Sequence, residues 1–168
     1  QDDKFITISP GTIWNTKKFP EDKIIEILDM LATDNIPVVL TGSKQDLELC
    51  RFLIDKTINK NVFIAASKLT ILQSAYLIKK SKVILTNDSS PLHLANAVGT
   101  KVIAIFGATV PEFGFYPIGK DDVIIQTMGL KCRPCSIHGG KKCPIKTFVC
   151  MRNIDSKNVY NEIINSLS

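Results

Sequence analysis

The stretch KVILTNDSSPLHLANAVGTKVIAIF, residues 82–106, decides the fold. An apolar run from Val83 stops at Asn87 and Asp88. Ser90 and Pro91 then read as N-cap and first helical residue of a helix that runs to about Val98, where Gly99 ends it. A second apolar run, Val102 to Phe106, comes next. Neither run alternates with polar residues, so both read as strands buried on two faces. Strand, helix and strand in so short a span is the unit that builds a parallel sheet.

The same alternation extends in both directions. Upstream, Phe5 to Ser9 is a strand stopped by Pro10-Gly11, and Pro20 opens a helix with Ile24, Ile25, Ile27, Leu28 and Leu31 on one face. Glu21 and Asp22 sit in its first turn, where the helix dipole favours them. Pro37 to Thr41 is a second strand, followed by Gly42-Ser43 and a helix carrying Leu47, Cys50, Leu53 and Ile54. Val62 to Ile64 is a third strand, and Thr70 caps a helix that ends at Lys79-Lys80. Downstream, Val123 to Gln126 reads as a sixth strand, and Asp155 caps a last helix with Val159, Ile163, Ile164 and Leu167. The pattern predicts a Rossmann-like, doubly wound α/β domain with a parallel sheet covered on both sides.

The 168 residues are enough for one domain with a full core, so residues 1–168 are read as a single unit. Residues 129–153 have no core pattern of their own and read as an appended loop. No apolar run approaches the length that spans a bilayer, and the start, Gln-Asp-Asp-Lys, has neither the charge nor the apolar core of a signal peptide.

The net charge of +5 has one source. Lys131, Arg133, Lys141, Lys142, Lys146 and Arg152 lie between Val123 and Ile154 with no acidic residue among them, while the rest of the chain holds 15 basic and 16 acidic residues. The same segment carries Cys132, Cys135, Cys143 and Cys150, spaced C-x2-C-x7-C-x6-C, and Cys50 stands apart. A C-x2-C pair suits two thiolates on one metal, and two more thiols complete a tetrahedral site, zinc ahead of an iron–sulfur cluster. Nearby cations favour the thiolates. Two disulfides or four free thiols fit the spacing equally, and the second pair is wider than in common zinc ribbons. The expected role is structural.

Ligands of doubly wound sheets bind where loops leave the carboxyl ends of strands. Four such loops stand out: Ser9-Pro10-Gly11-Thr12, Thr41-Gly42-Ser43, Asn87-Asp88-Ser89-Ser90 and Gly107-Ala108-Thr109. Their glycines allow close backbone approach, and the helix after Ser90 offers free N–H groups to an anion. Each alone is an ordinary turn. No G-x-G-x-x-G and no G-x-x-x-x-G-K-[ST] occurs, which removes the usual dinucleotide and NTPase fingerprints. His93 can face the same crevice as Asp88 or be a buried, satisfied histidine. Lys17 or Lys18 can reach over the edge as a phosphate clamp, although solvated lysine is the usual state of a loop cation. Asp46 suits ribose hydroxyls, or only the dipole of its own helix.

Taken in order, S-P-G-T-x4-K-x-F-P, V-V-L-T-G-S-x2-D, L-T-N-D-S-S-P-x-H-L-A-N-A and V-I-A-I-F-G-A-T-x-P resemble the C-terminal half of glycosyltransferase family 9. Its best-known members are the ADP-heptose:lipopolysaccharide heptosyltransferases. The resemblance runs from about Phe5 to Leu167 and implies the C-terminal domain of a GT-B enzyme, which holds a nucleotide-sugar donor. It implies that Thr12 and Lys17 meet the donor phosphates, with Lys17 offsetting charge on the leaving diphosphate while Lys18 points away. It places Asp46 at the ribose, Leu69 beside adenine, and Asp88, Ser89, Ser90 and His93 around diphosphate and sugar. It further implies transfer of heptose from ADP-heptose to a lipopolysaccharide core acceptor with inversion. The base and acceptor site lie in an N-terminal domain outside this chain, and the chemistry needs no cofactor. The expected location is cytoplasmic, at most peripheral at the inner membrane. A relative using another nucleotide-hexose is the nearest alternative. A module binding nucleic acid through the basic segment is a distant one, since that segment has little aromatic interleaving and no finger spacing.

Overall fold

In the computed structural model, which describes residues 4–167, six parallel strands form one sheet in the order β3-β2-β1-β4-β5-β6. The strands are β1 (Ile6–Ser9), β2 (Val38–Leu40), β3 (Val62–Ile64), β4 (Val83–Asn87), β5 (Lys101–Phe106) and β6 (Val123–Gln126). Gln1–Asp3, part of the stretch without signal-peptide features, lie outside the described residues. The order reverses at β1: Ile8 pairs with Leu40 on one side and with Leu85 on the other. A crevice therefore opens between the loops that leave β1 and β4.

Alternation along the strands divides the core. Ile6, Ile8, Val83, Leu85, Ile103 and Ile105 face one side, where they pack with Ile24, Ile27, Leu28 and Leu31 of α1 (Glu21–Thr33), Cys50 and Leu53 of α2 (Leu47–Lys56), and Val159 and Ile163 of α6 (Ser156–Asn165). Ile84, Val102, Ala104 and Phe106 face the other side and meet Ile78 of α3 (Ile71–Lys80) and Leu92 and Ala95 of α4 (Ser90–Val98). Apolar side chains at period two with helices on both faces are what a doubly wound sheet requires.

The helix ends obey side-chain chemistry. Thr70 and Gln73 form a reciprocal capping box at α3, Asp155 accepts from the Lys157 amide at α6, and Gly99 takes a left-handed φ of 72° after α4. One expected cap shifts by a residue. Ser89 is the N-cap of α4 and Ser90 its first residue, with Pro91 still in the first turn, where no N–H is needed.

The segment 129–153 departs from the expected coreless loop. Its last turn is the short helix α5 (Val149–Arg152), which drives Cys150 and Met151 into the first core together with Ile154. Met151 fills the space beside Gly107, where a Cβ would come within 2.5 Å of the Met151 methyl carbon. That glycine makes room for the protein's own core.

Candidate functional site

Asn87 organises the crevice. It ends β4 with only 2% exposure, accepts from the Phe19 amide at 2.9 Å and donates to the carbonyls of Pro10 and Gly11 at 3.1 and 3.4 Å. One buried amide thus ties the whole loop after β1 to the end of β4, satisfying backbone groups that would otherwise be orphaned. That loop contains a single 3-10 turn, Asn15–Lys17, which carries Lys17 over the sheet edge.

There the Lys17 ammonium lies 2.7 Å from Asp88 Oδ2, with the two side chains only 12% and 7% exposed. The Thr109 hydroxyl donates to the same Asp88 oxygen at 2.7 Å. Three of the four strand-end segments that the sequence singles out therefore meet at one point: those after β1, β4 and β5. Lys18 turns away and pairs with Glu21 at 2.6 Å, as the resemblance implies.

Asp46 takes the fourth loop. Its Oδ2 accepts from the Ser43 amide and hydroxyl, both at 2.7 Å, closing a capping box. The carboxylate fills the space beside Gly11, and a Cβ on Gly42 would stand 2.8 Å from it. The backbone approach expected at Gly11 and Gly42 thus accommodates Asp46 itself. Thr12 is half-buried on the loop after β1, and Leu69 is half-buried just before α3. Ser89 donates to the Asn87 carbonyl at 3.4 Å, and Ser90 is exposed at the start of α4.

His93 is not the buried, satisfied histidine that the sequence also allowed. The ring is exposed and stands edge-on to Phe115, with centroids 6.1 Å apart.

The basic segment lies against this edge. Arg133 donates to the carbonyls of Thr127 and Thr109, both at 2.7 Å, and to Gln126 Oε1 at 2.9 Å. Burial pushes the guanidinium below its ordinary value, against the pull of the Cys150, Glu112, Cys135 and Cys132 charges. Gly140 exchanges two hydrogen bonds with Thr16, and the Cys135 amide donates to Ala108 O at 2.8 Å. Sequence reasoning missed these roles because backbone groups make most of the contacts.

All five cysteines are free thiols, and among the described residues no three His, Cys, Asp or Glu side chains are grouped to hold a metal ion. Cys150 is drawn into the core on α5, with 6% exposure, and Cys135 donates to the Cys132 carbonyl at 3.3 Å. They remain electrostatic neighbours. Burial, then the charges of Cys132 and Cys143, raise Cys135, while burial followed by the Cys135 charge raises Cys150. At Cys143 burial also pushes upward, but amides of Phe148, Ile145, Thr147 and Lys146 bond the sulfur and bring it below the ordinary thiol value.

A parallel sheet whose order reverses beside a crevice defines a Rossmann-like α/β domain, and a cation, a carboxylate and a hydroxyl converge at that switch point. Residues 1–145 match the model of glycosyltransferase family 9 (heptosyltransferase), and the chain belongs to that family. It is 27% identical over 164 residues to lipooligosaccharide heptosyltransferase 2 of Campylobacter jejuni, covering 95% of this chain and 50% of that one. Its fold matches the Escherichia coli ADP-heptose lipopolysaccharide heptosyltransferase II with a TM-score of 0.83 at 22% identity, over 99% of this chain and 47% of that one. It also matches the iron-containing dodecameric glycosyltransferase TibC of enterotoxigenic E. coli, with a TM-score of 0.73 at 16% identity over 97% and 44% of the chains. The chain thus spans about half the length of these proteins.

Proposed function

We propose that this chain is the donor-binding half of a glycosyltransferase that moves heptose from ADP-heptose to a lipopolysaccharide core acceptor. The observation that carries the reading is the Lys17–Asp88–Thr109 contact at the switch point of a family 9 domain. Lys17 is held where a diphosphate would lie across the loop after β1, with Thr12 beside it. Both bonds to Asp88 fall on Oδ2, so Oδ1 is the oxygen left to accept from a sugar hydroxyl. Asp46 faces the ribose, Leu69 the base, and Ser89 and Ser90 the phosphates at the start of α4.

In the reaction, the acceptor oxygen attacks the anomeric carbon, the bond from that carbon to the diphosphate oxygen breaks, and configuration inverts. The acceptor's proton passes to a carboxylate outside this chain. Negative charge builds on the departing ADP, and a pre-placed ammonium stabilises it without reorganisation during the reaction. His93, exposed three residues beyond Ser90, serves the sugar side. Among the described residues no helix is long and apolar enough to cross a membrane. The acceptor is met by the other half of the enzyme, at most peripherally at the cytoplasmic membrane face.

For the four clustered cysteines we propose a structural metal, zinc before iron. Donor chemistry supports it: four neighbouring thiols, one of them favoured as thiolate. The thiols must draw together to hold it. Elemental analysis of protein purified under reducing conditions without chelator decides this, and less than about a tenth of an equivalent of zinc or iron overturns it.

Calorimetric titration of the 168-residue chain with ADP, UDP and GDP tests the main reading. ADP binds best and the chain alone transfers no sugar. Preference for UDP or GDP favours the alternative of another nucleotide-hexose donor, and no binding of any nucleotide overturns both. Salt-sensitive RNA or DNA retention on filters without nucleotide binding would favour the nucleic-acid reading. Two of the six cations in the basic segment weigh against it: Arg133 bonds internal carbonyls and Arg152 pairs with Asp22 at 2.6 Å.

A further inference from the structure

We propose that the Gly139–Gly140 turn of the basic loop is a positioning element for Lys17, an inference that rests on the donor-binding reading. The contacts are reciprocal. The Thr16 amide donates to Gly140 O at 2.9 Å, and the Gly140 amide donates to the Thr16 hydroxyl at 2.7 Å. Thr16 is 2% exposed and Gly140 half-buried, so the pair is partly shielded from water and holds the loop against the turn that carries Lys17. Gly139 sits directly on the lysine stem. A Cβ there would come within 2.9 Å of Lys17 Cγ and Cδ and 3.2 Å of the Thr16 hydroxyl oxygen.

The loop is itself anchored at both ends of this contact. Ser136 Oγ donates to Gly139 O and accepts from Gly139 N, each at 2.9 Å, closing the turn on itself. Arg133 grips the Thr109 carbonyl, and Thr109 in turn bonds Asp88. One segment therefore braces both partners of the ion pair, Lys17 through Gly139–Gly140 and Asp88 through Arg133 and Thr109. A lysine stem has four carbons and many rotamers, so a wall of backbone along it keeps the ammonium over the crevice rather than in solvent. Gly139 fits because its φ is +87° and because any side chain would occupy the space of the stem.

Gly129 supplies the control. It has a similar φ of +75° but nothing within 4 Å of a built Cβ. Gly139→Ala and Gly129→Ala therefore share the backbone strain, and only the first presses on Lys17.

Two measurements on the 168-residue chain test the proposal. In the first, lysines of the ligand-free protein are acetylated with a limiting N-hydroxysuccinimide ester and read by mass spectrometry, with exposed Lys60 as reference. Gly139→Ala raises Lys17 labelling at least about threefold over wild type, and Gly129→Ala leaves it unchanged. In the second, ADP and AMP are titrated. Gly139→Ala weakens ADP at least about fivefold and AMP less than about twofold, and adds nothing in a Lys17→Ala background. Thr16→Val, which removes the acceptor of the Gly140 amide without adding bulk beside Lys17, moves both readouts the same way and serves if Gly139→Ala does not fold. Unchanged Lys17 labelling in both variants overturns the proposal, as does an ADP loss of equal size with and without Lys17. Wild-type protein that binds no ADP overturns the donor-binding reading instead, and the labelling then decides the positioning on its own.

Discussion

Asp88 accepts both the Lys17 ammonium and the Thr109 hydroxyl through one oxygen in a nearly closed space. Removing the ammonium strands a carboxylate that only Thr109 still supports. Lys17→Ala should therefore weaken ADP binding and also destabilise the fold by about 2 kcal/mol, less than a fully buried pair costs because the hydroxyl remains. Urea titration reads the second effect. Thr7 presents the opposite case. Its hydroxyl is fully buried at the centre of β1 and, among the described residues, has no hydrogen-bond partner. Thr7→Val keeps the branched shape and removes the orphaned group, and should raise the urea midpoint by about 1 kcal/mol of stability. The thiols divide in the same local way. Burial, reinforced by the Asp46 charge, pushes Cys50 up to about 12, so Cys50 stays protonated and unreactive at pH 8. Cys143, favoured as thiolate by four amides, should take up iodoacetamide first, with peptide mapping after a short pulse as the check.

At the scale of elements, Asn87 joins β4 to the loop after β1 through one donated bond from that loop and two to it. Asn87→Asp turns the donating nitrogen into a second oxygen facing the Pro10 and Gly11 carbonyls. It should cost about 2–3 kcal/mol in urea titration and weaken ADP binding with it. The strands were the most legible part of this architecture. Val123–Gln126 reads from the sequence with its observed bounds, because even this half-buried edge strand is a continuous apolar run between turn residues. The gathering of Asp88, Asp46 and a lysine of the loop after β1 at one edge was legible too, since strand-end loops of a parallel sheet share it, but only the family resemblance singled out Lys17 over Lys18. What stayed hidden is set by tertiary contact. The edge contact of His93 with Phe115 depends on where the Phe115 segment lies. The four residues of α5 are too few to show a helical period, so the burial of Cys150 and Met151 could not be read. The bond from Gly140 to Thr16 spans 124 positions and leaves no local pattern.

At the scale of the whole molecule, the family match ends at residue 145, yet the first core also needs α6, which lies beyond that point. Val159 and Ile163 of α6 are fully buried against α1 and the sheet. Ile163→Ala should cost about 3 kcal/mol, and deletion of residues 156–168 should leave a chain without a cooperative thermal transition by circular dichroism. The central place of β1 reaches further than stability. Thr7 pairs with Val39 early in the chain, but its other neighbour, Ile84, arrives only after three helices and two strands have been synthesised. Such long-range parallel pairing closes slowly. A nascent or clipped chain can therefore hold β1, β2 and β3 while Lys17 has neither the carboxylate opposite it nor the Asn87 anchor of its loop, and Gly140 arrives later still. The crevice joins residues from position 17 to position 140, so its formation reports that the sheet from β1 to β5 and the loop as far as Gly140 have come together.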